Sequence, residues 1–180
     1  DKKLDFYFGN PRHNRVNDFI YLYIRIFQIM FKIEIICIGK LKENYFKDAE
    51  KEYLKRITRF AEIGVTELPE YGYLSEAKAK ETEGENILKA VNSYMFALDG
   101  RGRELSSEEF SLKLEGLKNT CSKAAFVIGG SDGLAESVIQ KADFLLSFGK
   151  FTYPRQLMRV MLSEQIYRAL TISNNIAYHK

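Results

Sequence analysis

The sequence predicts an α/β fold with a mainly parallel sheet and helices on both faces. Two observations carry that expectation. Short apolar runs alternate with longer segments of helical period, five runs in all. The first run, Phe31 to Ile38, is apolar almost throughout, as a strand covered on both faces must be.

That first strand closes at Gly39. Asn44 to Phe60 reads as a helix with Phe46, Ala49, Tyr53, Ile57 and Phe60 on one face. Val65 to Leu68 is a short strand stopped by Pro69. Ser75 is placed to cap a Lys/Glu-rich helix running to about Val91. Tyr94 to Leu98 is the third strand, and Asp99-Gly100-Arg101-Gly102 has the composition of a turn. Ser106 and Glu109 form a capping box for a helix to about Asn119. Ala124 to Ile128 is the fourth strand, followed by Gly129-Gly130-Ser131-Asp132-Gly133 and a helix over Leu134 to Lys141. Phe144 to Phe148 is the fifth strand. Pro154 then opens a last helix to about Thr171, because its fixed φ suits a first helical position. Ser173-Asn174-Asn175 breaks that helix before the tail Ile176 to Lys180.

The last helix carries Leu157, Val160, Met161, Ile166, Tyr167 and Leu170, an arc wide enough to need cover on more than one side. Its polar strip holds Arg155 and Arg159 at a spacing where like charges repel unless an anion lies between them. Glu164 and Arg168 form a simple ion pair at the same spacing. Net charge is only +3, which alone does not indicate a nucleic-acid binder. Its distribution is uneven: Lys150 to Lys180 holds five Lys/Arg and one acid, whereas Met30 to Gly149 holds 17 basic and 20 acidic residues. Positive charge is therefore expected beside the last loop and helix.

Three loops, Leu98 to Gly102, Gly129 to Gly133 and Phe148 to Tyr153, follow apolar strands. Ligands of such sheets bind beyond the carboxyl ends of the strands. Loops of this composition would hold a flat, uncharged group through backbone hydrogen bonds. The second loop is neither G-x-G-x-x-G nor a Walker loop. No H-E-x-x-H or Cys/His cluster suggests a metal, and no G-x-S-x-G suggests a serine hydrolase. Cys37 and Cys121 lack C-x-x-C spacing and read as thiols of a reducing cytosol. Residues 1–29 differ in composition from the rest and read as an extension outside the folded unit, with Met30 its natural beginning. The apolar run Phe19 to Phe31 is too short, and with Arg25 too charged, to span a bilayer comfortably. An amphipathic arm for packing or membrane contact is the competing reading.

Four stretches carry a resemblance: MFKIEIICIGKLKENYF from Met30, VIGGSDGL from Val127, LSFGKFTYPRQLMRVMLSEQIYRA from Leu146, and the ending AYHK from Ala177. In this order and spacing they resemble the bacterial large-subunit ribosomal RNA pseudouridine methyltransferases, a family of the SPOUT class. The resemblance covers Met30 to Lys180, with Gly149 and Arg155 standing where serine and histidine are common. It implies one methyltransferase domain over 30–180 with an α/β knot, a C-terminal trefoil threaded through a loop. It also implies a cytoplasmic homodimer, S-adenosylmethionine as cofactor and a pseudouridine of ribosomal RNA, on the ribosome, as substrate methylated at ring nitrogen 3. Cofactor contacts would be Leu98, Gly129, Phe148, Gly149, Lys150, Phe151, Thr152 and Tyr153.

The chemistry needs alignment and a way for the ring nitrogen to lose its proton. Arg159, Tyr178 and His179 are the catalytic candidates, and Arg155 and Lys180 the candidates for RNA phosphate. No metal is expected. A SPOUT-type transfer RNA methyltransferase and a non-catalytic nucleotide- or RNA-binding module are the alternatives.

Overall fold

The computed structural model describes residues 30–179. The extension 1–29 and Lys180, a candidate RNA contact, lie outside the described residues. The elements are β1 (Lys32–Ile38), α1 (Asn44–Ile57), β2 (Glu62–Leu68), α2 (Glu76–Ala90), β3 (Tyr94–Glu104), α3 (Ser107–Lys118), β4 (Lys123–Ile128), α4 (Glu136–Lys141), β5 (Phe144–Ser147) and α5 (Arg155–Ser173). All five strands pair in parallel, in the order β2-β1-β4-β3-β5.

Side-chain alternation divides the strands between two apolar layers. Ile33, Ile35, Phe96 and Phe126 face one side, where Ile57 of α1, Phe110 and Leu114 of α3, and Leu162, Ile166 and Leu170 of α5 cover them. Ile36, Ile38, Met95, Ala97, Ala125 and Val127 face the other, against Ile87 of α2 and Val138 and Ile139 of α4. Phe96 and Phe126 stack at the centre of the first layer, 4.6 Å between ring centroids.

The capping box forms as expected: Glu109 N–H donates to Ser106 Oγ at 3.2 Å and Ser106 N–H to Glu109 Oε2 at 2.8 Å. Ser75 does precede α2, but its side chain makes no capping hydrogen bond. No residue of α5 is fully exposed. Leu162, Ile166, Ala169 and Leu170 are buried among α1, α3 and the sheet, whereas Leu157, Val160 and Met161 stay partly exposed, so the chain itself covers only part of the wide apolar arc.

The largest departure from the sequence reading is β3. Its pairing with β5 does not stop at Leu98: Leu146 is opposite both Leu98 and Arg103, and Ser147 is opposite Glu104. The expected turn is thus an excursion that leaves β3 and returns to it. At Gly102 the returning chain lies against β5, and a Cβ there would come within 2.7–2.9 Å of the Leu145 and Leu146 backbone. Gly100, at the tip, faces open space.

This contrast is testable. Gly102→Ala should lower stability by about 1–3 kcal/mol, the range for an overpacked site, whereas Gly100→Ala should be nearly neutral. Urea denaturation midpoints of the two variants would check it; equal shifts would mean that the excursion does not seat on β5 as described.

Candidate functional site

The three unusual loops are neighbours because β4, β3 and β5 are consecutive in the sheet. The chain leaves β3 toward one face, where α3 lies, and leaves β4 toward the other, where α4 lies. Such a divergence opens a crevice at the carboxyl edge of a parallel sheet. Here it is a cavity of about 300 Å³ lined by Leu98 to Gly100, Ile128 to Ser131, Gly133, Leu134, Leu146 and Phe148, and by Gly149, Phe151 to Tyr153, Arg155 and Met158. Seven of the eight expected cofactor contacts therefore surround one space; Lys150 does not line it.

Local bonds set each wall. Asp99 accepts from the backbone N–H and Nε of Arg101, both at 2.9 Å. The hydrogen bond from Arg101 holds the Asp99 carboxyl below its usual range against the opposing effect of burial. In the second loop Gly133 N–H closes on Gly130 C=O at 3.2 Å. A Cβ on Gly129 would meet the Gly133–Leu134 backbone at 2.7–2.9 Å, so glycine is required there by the turn itself, before any ligand is considered. In the third loop Gly149 N–H donates to Ser147 Oγ at 3.1 Å. Phe151 stands 81% exposed at the rim.

Arg155 and Arg159 of α5 do not share an anion. Arg155 forms a two-pronged pair with Glu70, Nη1 to Oε1 at 2.7 Å and Nη2 to Oε2 at 2.9 Å, while its side chain lines the cavity. The hydrogen bonds from Arg155 hold the Glu70 carboxyl below its usual range. Arg159 is buried, its side chain 6% exposed. Its Nε and Nη2 donate to the two oxygens of Glu50, the latter at 2.7 Å, and its Nη1 to Glu67 at 2.7 Å. Its Nη1 also lies 3.3 Å from Cys37 Sγ. Burial opposes the charge on Arg159, but the carboxylates around it outweigh burial and raise its pKa. Burial pushes the Cys37 thiol up to about 11, against the pull of Arg159, so it stays protonated.

The C-terminal tail folds back on its own helix after Asn175, which takes φ 53°. Tyr178 stacks edge-on against Tyr167 at 4.8 Å and donates to Glu164 Oε1 at 3.1 Å. Burial first, then the Glu164 carboxylate, pushes the Tyr178 phenol up to about 12. His179 lies between Arg168, 3.3 Å from Nδ1, and Glu108, 2.6 Å from Nε2. Arg168 can only donate and a Glu108 carboxylate only accept, which assigns the neutral ring its proton on Nε2. Neither Tyr178, His179 nor Arg159 lines the loop cavity. Glu164 does line an adjoining cleft of about 600 Å³, together with Phe148, Gly149, Val160 and Met161.

The three arginines of 150–180 are thus paired in the fold, Arg155, Arg159 and Arg168 each holding a carboxylate, while Lys150 stays exposed without an ion pair among the described residues. Sequence reasoning found Glu164 for Arg168, an ion pair that forms as expected, and missed the partners of Arg155 and Arg159. Glu50 shares the inner face of α1 with Phe46, Tyr53 and Ile57, and a carboxylate on an apolar helical face is a signal for a buried cation. Glu67 and Glu70 sit at the end of β2 and carry no comparable local mark.

A family sequence model described as a predicted SPOUT methyltransferase matches residues 31–179. The chain is 45% identical over 157 residues to "Ribosomal RNA large subunit methyltransferase H" of Lactobacillus acidophilus, covering 82% of this chain and 99% of that protein. It is 46% identical over 158 residues to the Clostridium acetobutylicum protein of the same name, with the same coverage. Among solved structures, a probable methylase family protein from Haemophilus influenzae Rd KW20 is similar in fold, with TM-score 0.50 and 18% identity over 82% of this chain and 70% of that one. Among the described residues no cluster of His, Cys, Asp and Glu could hold a metal ion, and no helix is long and apolar enough to cross a membrane.

Breaking a buried ion pair from one side leaves a charge without its partner, at a cost of about 3–5 kcal/mol. Arg159→Met should therefore lower unfolding stability by about that much, and the double variant Glu50→Leu/Arg159→Met should recover most of the loss. Urea denaturation checks both. An Arg159→Met protein of undiminished stability that has lost activity would instead assign Arg159 to the reaction.

Proposed function

Because the chain belongs to the SPOUT methyltransferase family, we propose that it methylates ring nitrogen 3 of a pseudouridine in large-subunit ribosomal RNA, using S-adenosylmethionine. The observation that carries this reading is the cavity formed by the three loops. Its volume is at the lower end of small-molecule sites, roughly 300–1,000 Å³, which suits a compact, folded-over ligand. Its walls are apolar side chains and glycine-rich backbone, and its two charged side chains, Asp99 and Arg155, are already paired. An uncharged purine fits such walls better than a phosphate would. The names of the relatives, ribosomal RNA large subunit methyltransferases, supply the substrate class.

When bound, S-adenosylmethionine supplies a methyl group made electrophilic by its sulfonium. The protein's own work is then to orient donor and target base, exclude water and handle the N3 proton. Orientation alone can contribute about 7–11 kcal/mol at the limit. Leu98, Gly129, Phe148 to Tyr153 and their backbone hold the cofactor in this proposal. Tyr178 and His179 handle the target base. Both are occupied by Glu164, Arg168 and Glu108 here, so they reach a cofactor cavity only when the tail is redeployed, as across a homodimer interface. Arg159, surrounded by carboxylates, anchors α5.

The knot is part of the same proposal. From β5 at the sheet edge, residues 148–154 cross the ends of β3 and β4 to reach β1 and β2, where Arg155 meets Glu70 and Lys42 N–H donates to Gln156. Helix α5 then descends between α1 and α3. A chain taking that route under the 99–102 excursion is threaded through it, an uncommon topology. The catalytic unit is the single domain 30–180, with residues 1–29 outside it.

The test is methyl transfer from labelled S-adenosylmethionine to large ribosomal subunits lacking the modification, beside deproteinised ribosomal RNA and transfer RNA. Label is expected on the subunits at one pseudouridine, and transfer RNA as the preferred acceptor would overturn the substrate. Gly100→Phe, whose side chain enters the cavity from open space, should weaken cofactor binding at least tenfold by calorimetry without unfolding the protein. Deleting residues 178–180 should leave cofactor affinity within twofold but slow single-turnover methylation strongly; equal rates would remove the tail from the reaction.

A further inference from the structure

Among the described residues, the densest set of exposed, unpaired cations is not in the last loop and helix, where only Lys150 is free. It lies on α1 and the loop before it. Lys47, Lys51 and Lys55 recur every fourth residue, so they form one stripe along the helix, with steps of about 6 Å. All three are exposed, as are Lys40 and Lys42. Among the described residues none of these five lysines has an ion-pair partner. The nearest polar contact in the stripe is Lys47 Nζ to Asn44 Oδ1 at 3.4 Å. Of the three acids of the same helix, Glu50 is buried against Arg159 and Glu52 is paired with Arg56, while the exposed Asp48 makes no ion pair with the stripe. Like charges four apart on a helix destabilise it mildly, and three in a row are relieved by an anion lying along them.

The stripe also has a shape. Lys40, Lys47, Lys51 and Lys55 line one groove of about 580 Å³, whose floor is Leu54, Ile63 and the Arg159–Glu50–Glu67 cluster. The groove begins where the loop cavity ends. Lys40 follows Gly39, and a Cβ on Gly39 would lie 3.2 Å from the guanidinium carbon of Arg155, which lines that cavity. A strand lying in the groove is therefore led to the cavity edge at Arg155.

We propose that the Lys40–Lys55 groove is the docking surface for the ribosomal RNA backbone, with Lys47, Lys51 and Lys55 each meeting a phosphate. This rests on the function proposed above and adds the surface that holds the substrate. Phosphate contacts position a nucleic acid without reading sequence, and each one adds to the salt dependence of binding.

The experiment compares wild type with Lys47→Gln/Lys51→Gln/Lys55→Gln and with a control triple, Lys78→Gln/Lys89→Gln/Lys141→Gln, exposed lysines of α2 and α4 on the opposite face. Binding to large ribosomal subunits is measured across a salt series, and S-adenosylmethionine affinity by calorimetry. The stripe triple should lower subunit affinity at least tenfold and flatten log K against log[salt] by about 2–3 units, close to one per lost contact. Its cofactor affinity should stay within twofold, and the control should lose less than threefold. An unchanged slope, or an equal loss in the control, would overturn the docking surface and make the stripe a solvated face. A loss on intact subunits that is absent on deproteinised RNA would assign the stripe to a ribosomal protein and overturn it too. Wild-type protein that binds subunits through the stripe yet transfers no methyl group would defeat the proposed reaction while leaving the docking surface standing.

Discussion

The rest of the structure depends on seating α5 between α1 and α3, and the Arg159 cluster is the one polar interaction that specifies the seat. The surrounding contacts are apolar side chains that tolerate sliding and rotation. A buried guanidinium does not. It must meet Glu50 from α1 and Glu67 from β2 at one depth and one rotation of α5, or remain an unpaired buried charge. Arg155 repeats the arrangement one turn earlier, nearer solvent, with Glu70. The two contacts fix where α5 begins, and so fix where the preceding loop ends. The cavity at the sheet edge inherits its third wall from that constraint.

Most of the fold was legible in local sequence. Apart from the end of β3, which runs on from Leu98 to Glu104, the five strands and five helices were located to within about three residues, because apolar runs, Pro154, the Ser106–Glu109 capping box and the Asn174–Asn175 break are chemical marks confined to their own segments. The loops were legible for a related reason: glycine at 129 and 133 and the bare stretch 148–153 mark places where the backbone itself forms the surface. What stayed hidden was pairing between distant segments. Arg155 and Arg159 looked like a shared anion site because only their spacing was visible, while their carboxylates lie 85 and more residues away. The charge excess of the last thirty residues misled for the same reason.

Residue 102 shows the same limit in the backbone. Asp99-Gly100-Arg101-Gly102 has the composition of a turn, yet the chain only bulges there and rejoins β5 in the same direction at Arg103 and Glu104. Composition reports that a chain can bend; it does not report which strand waits on the far side. The tail posed the opposite problem. Helix breakers after Thr171 mark where the helix ends but not where the tail goes: Tyr167, Glu164, Arg168 and Glu108 offer stacking and hydrogen bonds to a segment that folds back.

The central place of α5 in the first apolar layer also bears on how the protein is made. Leu162, Ile166, Ala169 and Leu170 close a core whose other walls come from β1 to β5, all synthesised before them. During translation the sheet can assemble from β1 to β4, but Phe96, Phe110 and Phe126 lack the cover of α5 until that helix has left the ribosome. A nascent chain therefore carries an open aromatic face from the completion of β4 until α5 docks, and termination between those two elements yields a product that presents that face permanently.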